Sequence, residues 1–166
     1  MNKFIILIFS LFTVIGYAQS SASTSINTSA KIVNPIKITK SVDLNFGNVI
    51  GGFNAGTLVL SPDGTRTANG VQISNATPGE VNAAEALVTH GNNNYAITLP
   101  NTFSLFNEDN PSQSLKIDQF TVSPTSNGDN EGTDVLKIGA TLNLEANQVP
   151  GSYSNPSGFN VTVSYN

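Results

Sequence analysis

The 166-residue chain has no cysteine and no tryptophan, one methionine and one histidine. Without cysteine it has no disulfide, no thiolate metal site, no thiol nucleophile and no residue for a lipid anchor to acylate. Without tryptophan it lacks the usual aromatic platform of a sugar-binding site. Charge is scarce as well, at 11% of residues, with seven Lys and Arg against eleven Asp and Glu. So few cations make no basic patch, so neither nucleic acid nor anionic lipid is an expected partner. The lone histidine, His90, precedes Gly91-Asn92-Asn93-Asn94 and reads as a turn residue. A serine-hydrolase triad would need it between a serine and an acid, and no nucleophile elbow is present. Structural zinc takes about four nitrogen or sulfur ligands, which one imidazole does not approach.

The amino terminus is more informative. Lys3 precedes an apolar run over residues 4–15, and Gly16-Tyr17-Ala18 places small residues on either side of Tyr17. A basic start, a short apolar segment and a small-x-small site together predict a secretory signal peptide cut after Ala18. The run is shorter than the roughly 20 apolar residues that cross a bilayer. Removal of residues 1–18 leaves six cations against eleven acids, a net charge of −5, on a chain starting at Gln19. The expected organisation is a signal peptide at 1–18, a low-complexity arm at 19–29 and one domain at 30–166. A domain of that length buries a sizeable core without covalent staples.

Two-residue alternation dominates that domain and helical periodicity is nearly absent. Ile32, Ile36 and Ile38 share a parity around Pro35, which restricts that segment to an edge strand or a break. Val42, Leu44 and Phe46 follow on one face, ahead of Gly47. GTLVLS and TANGVQIS flank Ser61-Pro62-Asp63-Gly64, a type I turn signature that predicts a hairpin. GEVNAAEALV reads either as a helical turn or as a loop leading into a strand at 86–90; the loop is preferred. YAITLP and TFSLF read as short strands. In SLKIDQFTVSP the inward parity changes between Ile117 and Phe120, which predicts a bulge near Asp118. Leu136, Ile138, Ala140, Leu142 and Leu144 face one way, with Lys137, Gly139, Thr141 and Asn143 expected on a wet face. Phe159, Val161, Val163 and Tyr165 repeat the pattern, with the Tyr165 hydroxyl expected to reach water. Nine or ten such strands predict an all-β, immunoglobulin-like antiparallel sandwich.

AKIVNPIKITKSVDLNFGNVIGG, GTLVLSPDGTR, YAITLP and LKIGATLNLEANQVPGSYSNPSGFNVTVSYN, taken in order, resemble the domain-of-unknown-function 4402 family of small exported bacterial proteins. The early Leu-Asn-Phe-Gly, the Gly151-Ser152-Tyr153 turn and the closing strand with its penultimate Tyr165 more distantly resemble spore-coat-U and chaperone–usher pilin domains. The chain departs from many pilins in lacking cysteine and in placing Asn155-Pro156-Ser157-Gly158 before the last strand. The first resemblance implies no catalytic residues; the second implies fibre-building sandwiches on the cell surface.

Few residues invite a specific chemistry. Asp129, Glu131 and Asp134 cluster in an oxygen-rich stretch and are the candidate calcium ligands, although they lack the spacing of an EF-hand loop. A solvated hairpin loop is the competing reading. No catalytic or cofactor-binding residue is identified and no cofactor is expected. The last strand either simply completes the sandwich core or is also read by a periplasmic chaperone that adds a strand to the sheet edge. The expected function is an exported, non-enzymatic structural or adhesive protein of the cell surface or extracellular matrix, with a fimbria-like subunit as one form. The alternative is a secreted, monomeric binding module for carbohydrate or a surface protein, for which Phe53, Phe103 and Phe106 are the aromatic candidates. The isolated protein is expected to fold as a monomer, with other surface or fimbrial subunits as its partners.

Overall fold

The structure is a computed structural model that describes residues 20–91, 93–124 and 132–165. The expected signal peptide, together with Asp129 and Glu131, lies outside the described residues. The chain divides into two compact units at Ile32/Val33. In the first, residues 20–32 form no strand or helix, and Ile26 and Ile32 are exposed.

The second unit is all-β. Its strands among the described residues are β1 (Lys37–Val42), β2 (Val49–Ile50), β3 (Gly56–Leu60), β4 (Arg66–Asn69), β5 (Gln72–Ile73), β6 (Ala84–Thr89), β7 (Tyr95–Thr98), β8 (Thr102–Asn107), β9 (Ser114–Ser123), β10 (Thr133–Leu144), β11 (Tyr153–Ser154) and β12 (Thr162–Tyr165). All pairings are antiparallel. The large sheet runs β1-β6-β10-β9-β8-β11, with the β3–β4 hairpin joined to β10; β12–β7 and β2–β5 are separate pairs. Apolar residues from these sheets face one another in the manner of a sandwich.

β10 organises the fold because it serves two neighbours along one edge. Residues Thr133 to Ile138 pair with β6 and Ala140 to Leu144 pair with β3. The handover falls at Gly139, where an added Cβ would stand 2.1 Å from the Leu60 carbonyl oxygen. The side of β10 expected to be wet is therefore wet only in part. Lys137 is exposed, but Gly139 and Thr141 are buried and Asn143 is half-buried.

The inward residues of β10 divide the core into two clusters. Leu136, Val88 and Tyr95 form one, against Ile36, Ile38, Ile97, Val122, Val163 and Tyr165. Ala140, Leu142 and Leu144 belong to the other, with Leu58, Leu60, Leu115, Ile117, Phe46 and Val71. Phe159 lies against Phe103 and Phe120, with ring centroids 5.9 and 4.9 Å away.

Local chemistry explains the joints. The β3–β4 hairpin closes through Gly64 N–H donating to Ser61 O at 2.9 Å, with Gly64 at φ 85, and Thr65 N–H donating to Asp63 Oδ1 at 2.9 Å. Opposite the single residue Ala140, β9 places both Gln119 and Phe120, with Gln119 at φ 48. That is the bulge expected near Asp118, and it turns Phe120 and Val122 back onto the core side. The 80–89 stretch resolves as a loop followed by β6, which starts at Ala84, two residues earlier than expected. The last strand starts only at Thr162, so Phe159 and Val161 of the expected alternation lie just ahead of it.

Candidate functional site

Two features concentrate chemistry. The first is a buried polar cluster at one end of β6, β7 and β10. His90 follows β6 and opens the turn expected there, its carbonyl accepting Asn93 N–H, and its side chain is completely buried, which the sequence did not show. Its ring lies 5.0 Å from that of Tyr95, and its Nε2 is 3.2 Å from Asp134 Oδ2. Neither ring nitrogen makes an aligned hydrogen bond among the described residues. Asp134, second residue of β10, is 7% exposed, and its Oδ2 accepts the Tyr95 hydroxyl at 2.7 Å. Burial, and then the bond and the charge of Asp134, push the Tyr95 hydroxyl well above its ordinary pKa of 10.0.

The backbone of His90 is also a junction. Its N–H donates to Gly132 O at 2.8 Å, and its carbonyl accepts from Asn93 N–H at 3.2 Å. The half-buried Tyr165, whose hydroxyl was expected to reach water, also has the Asn34 and His90 carbonyls at 2.6 and 2.9 Å. The penultimate aromatic thus ties the last strand to the entry of β1 and the exit of β6. Chemically the cluster is a closed latch, because its carboxylate and imidazole face one another in the interior. Of the calcium candidates, Asp129 and Glu131 lie outside the described residues, while Asp134 turns inward to Tyr95 and His90. A cation at Asp134 would have to compete with the Tyr95 hydroxyl. Among the described residues no group of three or more His, Cys, Asp or Glu could hold a metal ion.

The second feature is a groove of about 200 Å³ where the two core clusters part. Its floor is Ala84 and Ala86 of β6 and Ile138 of β10. The two alanines are small, so the floor is set back. Ile38, Val42 and Leu44 form one wall, along β1 and just beyond it, and Phe159 and Val161 form the other, on the segment entering β12. Lys40, Asp43 and Glu85 line the rim. Lys40 Nζ pairs with Asp43 at 2.6 Å and Lys137 Nζ with Glu85 at 3.3 Å, so the rim charges are mostly balanced and well solvated. The walls are apolar, and the charged side chains among the lining residues, Lys40, Asp43 and Glu85, stand at the rim.

The inserted Asn155-Pro156-Ser157-Gly158 turn sets the second wall. Gly158 N–H donates to Asn155 O at 3.1 Å, Ser157 N–H to Asn155 Oδ1 at 3.1 Å, and the Asn155 side-chain amide to Ser104 O at 2.8 Å. The turn is thereby pinned to β8, and the chain leaves it towards Phe159. The Gly151-Ser152-Tyr153 turn is tied down in turn by the Tyr153 hydroxyl, which donates to Val149 O at 2.6 Å and accepts from Gln148 Nε2 at 2.9 Å. Of the three aromatic candidates, Phe103 packs into the core, Phe106 is partly exposed and Phe53 is 90% exposed.

Neither feature stood out in the sequence. A groove floored by alanines depends on cross-strand register, and the burial of His90 depends on Asp134, far away in the chain, as well as on Tyr95 beyond the turn. The available signal was the pairing of a single histidine with an Asp at the start of the most regular strand.

No curated protein and no solved structure matches the chain. A family model described as Domain of unknown function (DUF4402) matches residues 36–165. That stretch holds the twelve strands among the described residues, the groove, and the latch apart from Asn34, and the chain belongs to this family.

Proposed function

We propose that this is an exported, non-enzymatic structural or adhesive protein of the cell surface or extracellular matrix, a fimbria-like subunit being one form of that role. The observation that carries the reading is the conjunction of a leader-like amino terminus (Lys3, the apolar run at 4–15, Ala18) with a cysteine-free sandwich whose end strand β1 borders an apolar groove. The first element supports export. The second supports assembly, because an unpaired strand edge is a ready template for another extended segment. Periplasm, cell surface and medium are all compatible destinations.

Fractionating the native cells tests this reading. Protein in the envelope or medium should begin at Gln19 or its cyclised form, and the surface-bound fraction should be digested when intact cells meet protease. Intact Met1 on cytoplasmic protein would refute export.

One observation favours a second reading as a secreted binding module. Phe53 projects from the 51–55 loop, 90% exposed, close in sequence to the half-exposed Ile50. Large exposed aromatics anchor binding surfaces. Loss of glycan or surface-protein binding in Phe53→Ala, at unchanged stability, would favour that reading.

A further inference from the structure

We infer that the Lys31–Ile32 peptide bond is a processing site, at which a lysine-selective endopeptidase of the trypsin class separates the arm from the domain. The inference goes beyond the proposed structural role, because it adds a covalent step after export and a second, shorter form of the protein.

The placement of the cations carries it. Apart from Lys3 the chain has six: Lys31, Lys37, Lys40, Arg66, Lys116 and Lys137. Five of them lie within strands, Lys37 and Lys40 in β1, Arg66 in β4, Lys116 in β9 and Lys137 in β10. Lys31 alone lies in the strand-free stretch 20–32. It is the only charged residue of that stretch, and it stands next to the division of the chain at Ile32/Val33. Residues 28–33 on both sides of the bond are exposed, Ile32 at 96%. Exposed segments without secondary structure at the edge of a domain are where chains are nicked.

A trypsin-class enzyme needs an extended main chain around the bond and a cationic side chain that can enter a pocket with an aspartate at its floor. The cations of the domain fail the first demand. Lys37 is held opposite Thr89, Lys40 opposite Ala86, Arg66 opposite Leu60, Lys116 opposite Ser104 and Lys137 opposite Glu85, all in antiparallel ladders. Most fail the second as well. Lys40 pairs with Asp43 at 2.6 Å, Lys116 with Asp118 at 2.9 Å and Lys137 with Glu85 at 3.3 Å, and Arg66 Nη1 donates to Phe46 O at 3.1 Å. A cut at any of them needs a strand to open first. Lys31 meets both demands as it stands. The small residues Thr28, Ser29 and Ala30 precede it, Ile32 rather than a proline follows it, and no acid lies in 20–32 to oppose the acidic pocket. The step is a hydrolysis: the bond from the Lys31 carbonyl carbon to the Ile32 nitrogen breaks, the hydroxyl of water joins the carbon, and its proton goes to the nitrogen. The domain outlasts the cut. Its Asn34 carbonyl stays held by the Tyr165 hydroxyl at 2.6 Å, and neither core cluster contains a residue of 20–32.

Trypsin is the probe for the purified chain starting at Gln19. Intact-mass analysis over time should show the first cut after Lys31, roughly a hundredfold sooner than after any other cation, since the others wait for strand opening. Lys31→Gln should stay whole over that time, and Lys37→Gln should be cut like the wild type. In the native cells, a form beginning at Ile32 should accumulate at the expense of the exported form beginning at Gln19, and Lys31→Gln should abolish it. A first cut at another cation, exported protein that keeps Gln19 throughout, or an Ile32 terminus in Lys31→Gln would overturn the inference. Surface protein that keeps Gln19 would leave the proposed role standing; an Ile32 form confined to the cytoplasm would do the reverse.

Discussion

Tyr95 places a hydroxyl in a site with almost no access to water and donates a hydrogen bond to the buried carboxylate of Asp134. Because burial raises its folded pKa above 10.0, the tyrosine contributes stability that is fully present below about pH 10 and lost as the pH rises towards the folded value. The wild type should therefore weaken in urea from about pH 10 upward. Tyr95→Phe should lose that part of the slope, and at neutral pH it should cost about 1.5–3 kcal/mol, because it leaves a buried carboxylate short of a donor. Parallel alkaline slopes in the two proteins would contradict this. The neighbouring pair Leu142 and Asn143 separates packing from polar support. Leu142 is buried, and Leu142→Ala should cost about 2–5 kcal/mol. Asn143 donates to Asp118 Oδ1 at 2.9 Å, and this bond, followed by that from Lys116, holds the Asp118 carboxyl below its ordinary 3.8. Asp118 therefore adds stability above about pH 3.8 that is lost as the pH falls through its lower folded value. Asn143→Ala should cost about 1 kcal/mol near neutral pH and move the Asp118 titration upward, as followed by carboxyl-carbon NMR. An unmoved Asp118 would show that the amide is idle.

At the scale of elements, β10 was the most legible strand in the sequence, and also the one whose surroundings were least legible. Its alternation at Leu136, Ile138, Ala140, Leu142 and Leu144 needs only the two-residue period of a strand. The burial of Gly139 on its other side comes from the way the β3 exit crosses over the strand, and a non-local crossing leaves no local pattern. The bulge at Gln119 was legible because the two apolar pairs of β9 are out of phase, and the hairpin was legible because Pro62 and Gly64 fix a turn. The start of β6 was misplaced because Ala84, Glu85 and Ala86 are good helix formers; pairing with β10 and β1 overrides that preference. His90 was rightly placed at a turn, but its burial was illegible for the same reason as that of Gly139, since it is set by partners in β7 and β10. The crossing gives the element-scale prediction. A Cβ at residue 139 would stand 2.1 Å from Leu60 O and 2.8 Å from Ser61 carbonyl carbon, so Gly139→Ala should destabilise by about 1–3 kcal/mol. Hydrogen exchange should quicken first at the Leu60/Arg66 end of the hairpin. Unchanged melting would show that the strands separate there without cost.

For the whole molecule, a closed latch at one end and a groove in the middle divide the labour. The latch fastens the last strand to the body of the domain through Tyr165, Asn34 and His90, and the groove lies between the β1 side and the segment entering β12. The core clusters of the domain are built without residues 20–32. Sedimentation velocity on the whole chain and on a form lacking residues 19–29, each over a wide concentration range and paired with a thermal melt, tests this most directly. The account predicts that both are folded monomers of equal stability within about 0.5 kcal/mol, because the core is built without the arm. A shortened form that no longer folds, or one that melts well below the whole chain, would contradict it.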